Sequence, residues 1–106
     1  EQVGLRAVEP ADRMDAVIAT LNRPAPAVSG NWNHRYRANL EKIKSGNAFE
    51  VAEVVLSLTQ RDREKGLSTG ERRMLEVARQ ILVSELVLSK GLPLQEASSL
   101  LDRALA

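Results

Sequence analysis

Apolar residues recur along this chain at spacings of three and four, and Gly, Pro, Asn and Ser separate them into five segments. Such spacing places the apolar side chains on one face of a helix. The first segment follows Glu9-Pro10, where proline suits the first helical position, and its apolar face holds Met14, Val17, Ile18 and Leu21. A second helix is predicted from Asn33 to Lys44. A third is predicted from Ala48 to Lys65, with Val51, Val54, Val55 and Leu58 inward.

The fourth predicted helix has the widest apolar face. Its inward positions are Met74, Leu75, Ala78, Ile81, Leu82 and Leu86, and the arc is widened by Val77, Val83, Val87 and Leu88. We therefore expect this helix to be the central, most buried one. Pro93 begins a fifth helix, whose apolar positions are Leu94, Ala97, Leu100, Leu101, Ala104 and Leu105. The pattern predicts an all-α fold, a compact bundle of about five helices.

Turn residues mark the expected helix ends. Ser68-Thr69-Gly70-Glu71 is a capping box, in which Ser68 caps the third helical residue and Glu71 reaches back to the cap. Gly46, Gly66 and Gly91 follow helical segments and suit the left-handed position that ends a helix. The mixed-charge run from Gln60 to Lys65 is expected to be a solvated helix end. No hairpin signal is evident.

Composition narrows the class of protein. The 106 residues suffice for one domain, and because only 3% are aromatic, the core has to consist of aliphatic side chains and Met. The chain has no Cys, which excludes disulfides and thiol catalysis. With one His, no clustered carboxylates and no Gly-rich phosphate loop, neither a metal site, a cofactor nor an enzymatic role is expected. No apolar run approaches the roughly 18 residues of a membrane span.

A net charge of +1 does not indicate a nucleic-acid binder, so that interpretation rests on local clustering. The stretch Asn31–Lys44 contains the only Trp, His and Tyr of the chain and four basic residues against one Glu. On a helix beginning at Asn33, the inward face consists of Tyr36, Leu40 and Ile43. Arg37 and Lys44 flank that face on one side, Arg35 and Lys42 flank it on the other, and His34 points away. Arg72 and Arg73 lie near a second helix start, where free N–H groups favour phosphate.

Trp32 admits two interpretations. It precedes Tyr36 by one helical turn, and in the first interpretation it is a core residue that covers the end of the bundle. Its position after the rigid, Pro-rich run 23–30 instead favours an exposed ring, presented to DNA as a wedge. A protein–protein module in which Trp32 anchors a partner is the alternative function, since Trp beside Arg is typical of binding hot spots.

The combined motifs strongly resemble the C-terminal domain of the CarD/CdnL family. The resemblance extends over almost the whole chain and rests on the runs Asn31-Trp32, Arg35–Lys42, Val51–Val55, Arg61–Ser68, Gly70–Leu75 and Ala78–Leu86. Val3-Gly4-Leu5-Arg6 resembles the last strand of the family's preceding domain. The resemblance therefore divides the chain into residues 1–8, a remnant of an RNA-polymerase-binding β domain, and residues 9–106, a helical DNA-contacting domain.

The resemblance implies a bacterial, cytoplasmic, nucleoid-associated transcription regulator with no cofactor, membrane or small-molecule substrate. Its expected partners are promoter DNA, at the upstream edge of the −10 element, and the RNA polymerase β subunit, through the missing N-terminal domain. The family's minor-groove wedge matches Trp32, and its backbone contacts match Arg37 and Arg72. At His34 the family often has Arg, so this sequence departs there. The predicted DNA-binding residues are Trp32, His34, Arg35, Arg37 and Arg72.

Overall fold

The computed structural model describes residues 11–23 and 31–106, and these residues form five helices. They are α1 (Ala11–Thr20), α2 (Trp32–Lys44), α3 (Ala48–Glu64), α4 (Thr69–Lys90) and α5 (Leu94–Leu105). No strand occurs within these two described ranges. The predicted all-α fold is confirmed. The predicted β remnant at residues 1–8, the Glu9-Pro10 helix start and the Pro-rich run lie outside the described residues.

Two predicted turn signals determine where α4 begins and ends. The Ser68 hydroxyl oxygen accepts a hydrogen bond from the Glu71 backbone N–H at 3.2 Å and lies 3.3 Å from a Glu71 carboxylate oxygen. The Ser68 half of the predicted capping box is therefore confirmed, and the Glu71 carboxylate accepts a hydrogen bond from the Ser68 hydroxyl. At the other end Gly91 has φ 67°, which is a left-handed backbone conformation. This conformation is energetically unfavourable for any residue that has a Cβ atom. Gly46 and Gly66 also have positive φ, as predicted.

The core forms around α4, which packs against each of the other four helices. Its fully covered residues include Met74, Ala78, Leu82 and Leu86. On the facing helix α3, Val51, Val54, Val55 and Leu58 are all buried, as their spacing predicted. Met14 and Val17 of α1 and Leu101 of α5 complete the interior. The prediction that α4 is the central helix is confirmed. The prediction that it is also the most buried helix is wrong, because α3 has seven buried apolar residues and α4 has five.

Several apolar residues predicted to lie inward are instead at the surface. On α4, Val77 is 42% exposed and Leu88 is 66% exposed, and on α5 Leu94 is 69% exposed. Leu75 and Ile81 are only half-buried. The apolar arc of α4 is wider than the surface that four neighbouring helices cover. Periodicity therefore located the buried stripe correctly but overestimated its width.

The helix α2 is rotated relative to the prediction. Its fully buried residues are Arg35 and Asn39, whereas Tyr36, Leu40 and Ile43, expected inward, are half-buried. The reason lies in its neighbours: α2 packs mainly on α3 and less extensively on α4. The edge with Arg35 and Asn39 is therefore covered. The apolar edge faces an open groove between α2 and α4.

Candidate nucleic-acid interface

The first turn of α2 presents Trp32. Asn31 is the N-cap, and its side-chain oxygen accepts a hydrogen bond from the His34 backbone N–H at 2.9 Å. Asn is among the best residues for this position, because its side chain satisfies an N–H that has no partner within the helix. The cap makes Trp32 the first helical residue, one position earlier than predicted. Trp32 is 42% exposed, which makes it the most exposed aromatic side chain among the described residues.

The Trp32 ring stacks on the ring of Tyr36. The two ring centroids are 4.8 Å apart and the planes differ by 16°, so the rings are stacked. Tyr36 in turn lies against the first turn of α4: a Cβ added to Gly70 would be 3.4 Å from the Tyr36 Cε1 atom. The absence of a side chain at Gly70 thus allows the Tyr36 ring to approach the α4 backbone. One face of Trp32 is covered by Tyr36, and exposed ring surface remains for a ligand.

The groove between α2 and α4 continues from this stack. Its cavity of about 450 Å³ is lined on the α2 side by Tyr36, Leu40 and Ile43. The lining residues on the α4 side are Thr69, Gly70, Arg73, Met74 and Val77. Arg73, which was not among the predicted site residues, therefore borders the same surface as the aromatic stack. We call Trp32, Tyr36 and this groove the aromatic groove.

Exposed basic side chains and His34 lie on the two helices that form the aromatic groove. His34, Arg37 and Lys44 are exposed on α2, and Arg73 is exposed on α4. The Arg72 side chain is 60% exposed and makes a long ion pair of 3.9 Å with Asp62. An ion pair of that length and exposure contributes little, so Arg72 can exchange it for another anion. Lys42 is closer to its carboxylate partner, Glu53, at 3.1 Å.

Arg35 differs from the other predicted site residues because it lies inside the protein. Its side chain is 4% exposed, and its Nε donates a hydrogen bond to a Glu71 carboxylate oxygen at 3.2 Å. Glu71 is itself 2% exposed. Sequence analysis placed Arg35 on a solvated flank of α2 and among the DNA contacts. That placement on the flank is wrong, because α3 and α4 cover this edge of the helix.

The same carboxylate also has a neighbour on α3. The Arg61 Nε lies 3.9 Å from the second Glu71 oxygen, and the Arg61 side chain is 32% exposed. This distance is longer than a hydrogen bond but close enough for an electrostatic attraction. The prediction of a fully solvated run from Gln60 to Lys65 is therefore wrong for Arg61. Glu71 connects α4 to both α2 and α3.

Among the described residues we find neither a candidate metal site nor a candidate membrane span. Residues 11–23 and 31–106 contain no group of three or more His, Cys, Asp or Glu placed to hold a metal ion. Within the same ranges, no helix combines the length and apolar character needed to cross a membrane. The aromatic groove and its exposed cations are thus the surface feature that calls for a functional explanation.

Similarity to known proteins shows the family of this chain. The model of the CarD C-terminal domain family matches residues 16–102, which extend from α1 into α5. The chain belongs to the CarD C-terminal domain family. A Bacillus subtilis (strain 168) protein named "Putative transcription factor YdeB" is 41% identical over 68 residues, which are 64% of this chain and 44% of that relative. The CarD-family chain thus matches less than half of the relative's length.

Membership in the family carries a coarse functional meaning. CarD-family proteins are transcription regulators and not an enzyme family, in agreement with the relative's name. Among the predicted site residues, Trp32, His34, Arg37 and Arg72 are exposed in this CarD-family domain, whereas Arg35 is buried. Tyr36 and Arg73 were not predicted as site residues. The helical spacing of four between Trp32 and Tyr36 was the signal that pointed to their contact.

Proposed function

We propose that this CarD-family chain contacts promoter DNA at the upstream edge of the −10 region and stabilises the RNA polymerase open complex. Trp32 is the wedge in the minor groove, and His34, Arg37, Arg72 and Arg73 contact phosphates. The observation that carries the proposal is the 42% exposed Trp32 ring, stacked on Tyr36 beside exposed cations. A ring held on one face and free on the other is suited to stack against a base.

The free energy gained by stacking a base on Trp32 is similar in size to the free energy needed to unstack one base step. Unstacking one base step costs a few kcal/mol. Stacking an unpaired base on an aromatic side chain contributes about 1–3 kcal/mol. Trp32 therefore offsets most of the cost of opening one step but does not open the duplex unaided. The surplus has to come from phosphate contacts and from RNA polymerase, which is the expected second partner of the whole protein.

A protein-binding role is the second candidate. The aromatic groove combines an exposed Trp with Arg73 and apolar walls, which is also the composition of a protein–protein hot spot. The two candidates differ in their response to salt. Phosphate contacts release counterions, so DNA affinity falls steeply as salt rises, whereas an apolar anchor is nearly indifferent to it.

The first experiment measures the salt dependence of DNA binding. Each phosphate contact contributes about 0.9 to the slope of log K against log salt on B-form DNA. Arg37→Gln and Arg72→Gln should each weaken binding at low salt and lower that slope by about one contact. The matched control is Arg103→Gln, which removes one exposed cation from α5 and should leave the slope unchanged. Equal slopes for the wild type and both test variants would exclude phosphate contacts at these positions.

The second experiment tests the wedge. Trp32→Ala should leave the salt slope unchanged, because the indole contacts no phosphate in this proposal. It should reduce the preference for forked over fully paired DNA and shorten the lifetime of polymerase–promoter complexes. An unchanged lifetime at a temperature where Trp32→Ala remains folded would contradict the wedge. Loss of binding to a polymerase subunit, with DNA binding intact, would support the protein-anchor alternative instead.

A further inference from the structure

We infer that the buried Arg35–Glu71 ion pair positions the Trp32–Tyr36 stack, so that Arg35 raises DNA affinity without contacting DNA. The inference rests on the proposed contact between Trp32 and DNA. It assigns Arg35 and Glu71 as positioning residues of the aromatic groove. It also explains why an arginine in a basic helix is turned away from the surface.

Burial excludes Arg35 from the phosphate contacts. Its side chain is 4% exposed and its Nε is 3.2 Å from a carboxylate that is 2% exposed. To reach a phosphate, the guanidinium would have to leave Glu71 buried with the Ser68 hydroxyl at 3.3 Å and Arg61 at 3.9 Å as its remaining neighbours. Separating a buried ion pair is costly because the remaining charge loses its partner without gaining water. Arg35 therefore remains inside when the surface binds a ligand.

The orientation of α2 depends on this polar contact. The only residues of α2 that are fully buried are Arg35 and Asn39, while its apolar residues Tyr36, Leu40 and Ile43 are half-buried. A helix is usually oriented by the burial of an apolar face. Here the most buried edge is polar and the apolar residues pack only partly against the core, so the Arg35–Glu71 contact helps to fix the rotation of α2 about its axis. That rotation determines the direction in which Trp32 points.

The ion pair and the ring contact join the same two helical turns. Arg35 precedes Tyr36 in sequence, and Glu71 follows Gly70, against whose backbone the Tyr36 ring lies. Trp32 stacks on Tyr36 one turn earlier along α2. Any rotation of α2 that separates Arg35 from Glu71 therefore also moves Tyr36 away from Gly70. In this inference the Trp32–Tyr36 stack and the Arg35–Glu71 ion pair move together.

Substitutions of Arg35 test the coupling between the ion pair and the ring stack with fewer side effects than substitutions of Glu71. Without Glu71, Arg35 and Arg61 would be close together with no carboxylate between them. Without Arg35, Glu71 retains the Ser68 hydroxyl at 3.3 Å and Arg61. Arg35→Gln is the principal variant. Arg35→Lys keeps the charge but loses the planar guanidinium, and it serves as the milder variant if Arg35→Gln does not fold.

Trp32 is the only tryptophan of the chain, so its fluorescence reports directly on the stack. Acrylamide quenching and anisotropy decay of Trp32 should be measured well below the unfolding temperature, without DNA. Arg35→Gln should make Trp32 more mobile and more readily quenched. It should raise the Kd for forked DNA by about two- to tenfold, in the range of couplings between contacting residues, with the salt slope unchanged. Arg35→Lys should restore part of both properties.

A stability control separates positioning from general destabilisation. Leu101→Ala truncates a fully buried residue of α5, a helix that packs on α4 and α1. It should lower thermal stability yet leave Trp32 quenching as in the wild type. Wild-type mobility of Trp32 in Arg35→Gln, or equal changes in Leu101→Ala, would overturn the inference. So would a salt slope lowered by about one contact, because Arg35 would then contact a phosphate itself.

The fluorescence measurements of Trp32 mobility are made without DNA, so their result is independent of the proposed function. If Trp32→Ala and Arg37→Gln leave DNA binding unchanged, the proposed function fails. Increased Trp32 mobility in Arg35→Gln would still support the positioning role in that case. Unchanged mobility of Trp32 in Arg35→Gln, together with weakened DNA binding in Trp32→Ala and Arg37→Gln, would overturn the positioning role alone.

Discussion

Truncation of Trp32 should cost far less folding free energy than truncation of a buried core residue. We expect Trp32→Ala to lower the free energy of unfolding by at most about 2.5 kcal/mol, compared with about 3–5 kcal/mol for a fully buried aromatic residue. The difference matters because it separates the two interpretations of Trp32. A residue that covers the end of the core is needed for folding, whereas a presented residue is needed for binding.

The magnitude follows from the exposure of the side chain. A fully buried aromatic residue covers about 150–250 Å². With Trp32 42% exposed, somewhat more than half of its surface is covered, in part by the stacked ring of Tyr36. At about 25 cal/mol per Å², that area corresponds to roughly 3 kcal/mol, an upper bound because the unfolded chain already shields part of it. The higher helix propensity of Ala returns about 0.5 kcal/mol.

Leu82→Ala is the matched comparison. Leu82 is 0% exposed at the centre of α4, so its truncation removes apolar contacts and leaves a cavity. Leu→Ala changes at such sites cost about 2–5 kcal/mol. We expect the upper half of that range, because four helices surround α4 and limit the relaxation around the cavity. We therefore expect Leu82→Ala to lower the free energy of unfolding by more than Trp32→Ala does, although Leu has the smaller side chain.

Urea unfolding of the wild type and both variants, followed by circular dichroism, measures these losses. Far-ultraviolet signal is required because Trp32→Ala removes the only tryptophan. The midpoint of Trp32→Ala should lie between those of the wild type and Leu82→Ala, with similar m-values. A loss in Trp32→Ala equal to or larger than that in Leu82→Ala would show that Trp32 belongs to the core and refute the reasoning from exposure.

Three further substitutions test local features by the same unfolding assay. Gly91→Ala should cost about 1–2 kcal/mol because φ there is 67°, and since nothing lies within 4 Å of an added Cβ, Gly91→Asn should cost less. Ser68→Ala should cost about 0.5–2 kcal/mol, as the α4 cap is lost; a neutral result would exclude a stabilising capping box. Leu94→Gln should change stability by less than about 0.5 kcal/mol, because Leu94 is 69% exposed; a larger loss would show that it is covered in solution.

Local sequence was sufficient to predict the helices and their ends. Helical periodicity depends on residues three and four positions apart, and capping depends on residues within one turn, so both are readable without knowledge of the fold. The Ser68 cap, the left-handed Gly91 and the buried stripe of α4 were predictable for this reason. The exposure of Trp32 was one of two open interpretations. Its position at the first turn was predictable to within one residue.

Only the tertiary structure decided which edge of each helix is covered. Val77 and Leu88 belong to the apolar arc of α4, yet they are exposed because none of the helices in the described part of the chain covers them. Arg35 and Arg37 lie two residues apart on α2, and sequence assigned both to DNA. The structure buries the first and exposes the second.

The physical reason is that Arg35 depends on a partner 36 residues away in sequence, at the start of α4. Periodicity specifies the angles between side chains on one helix. It does not specify the rotation of that helix against its neighbours. The contact between Arg35 and Glu71 exists only once α2, α3 and α4 have packed together, so the burial of Arg35 could not be read from α2 by itself.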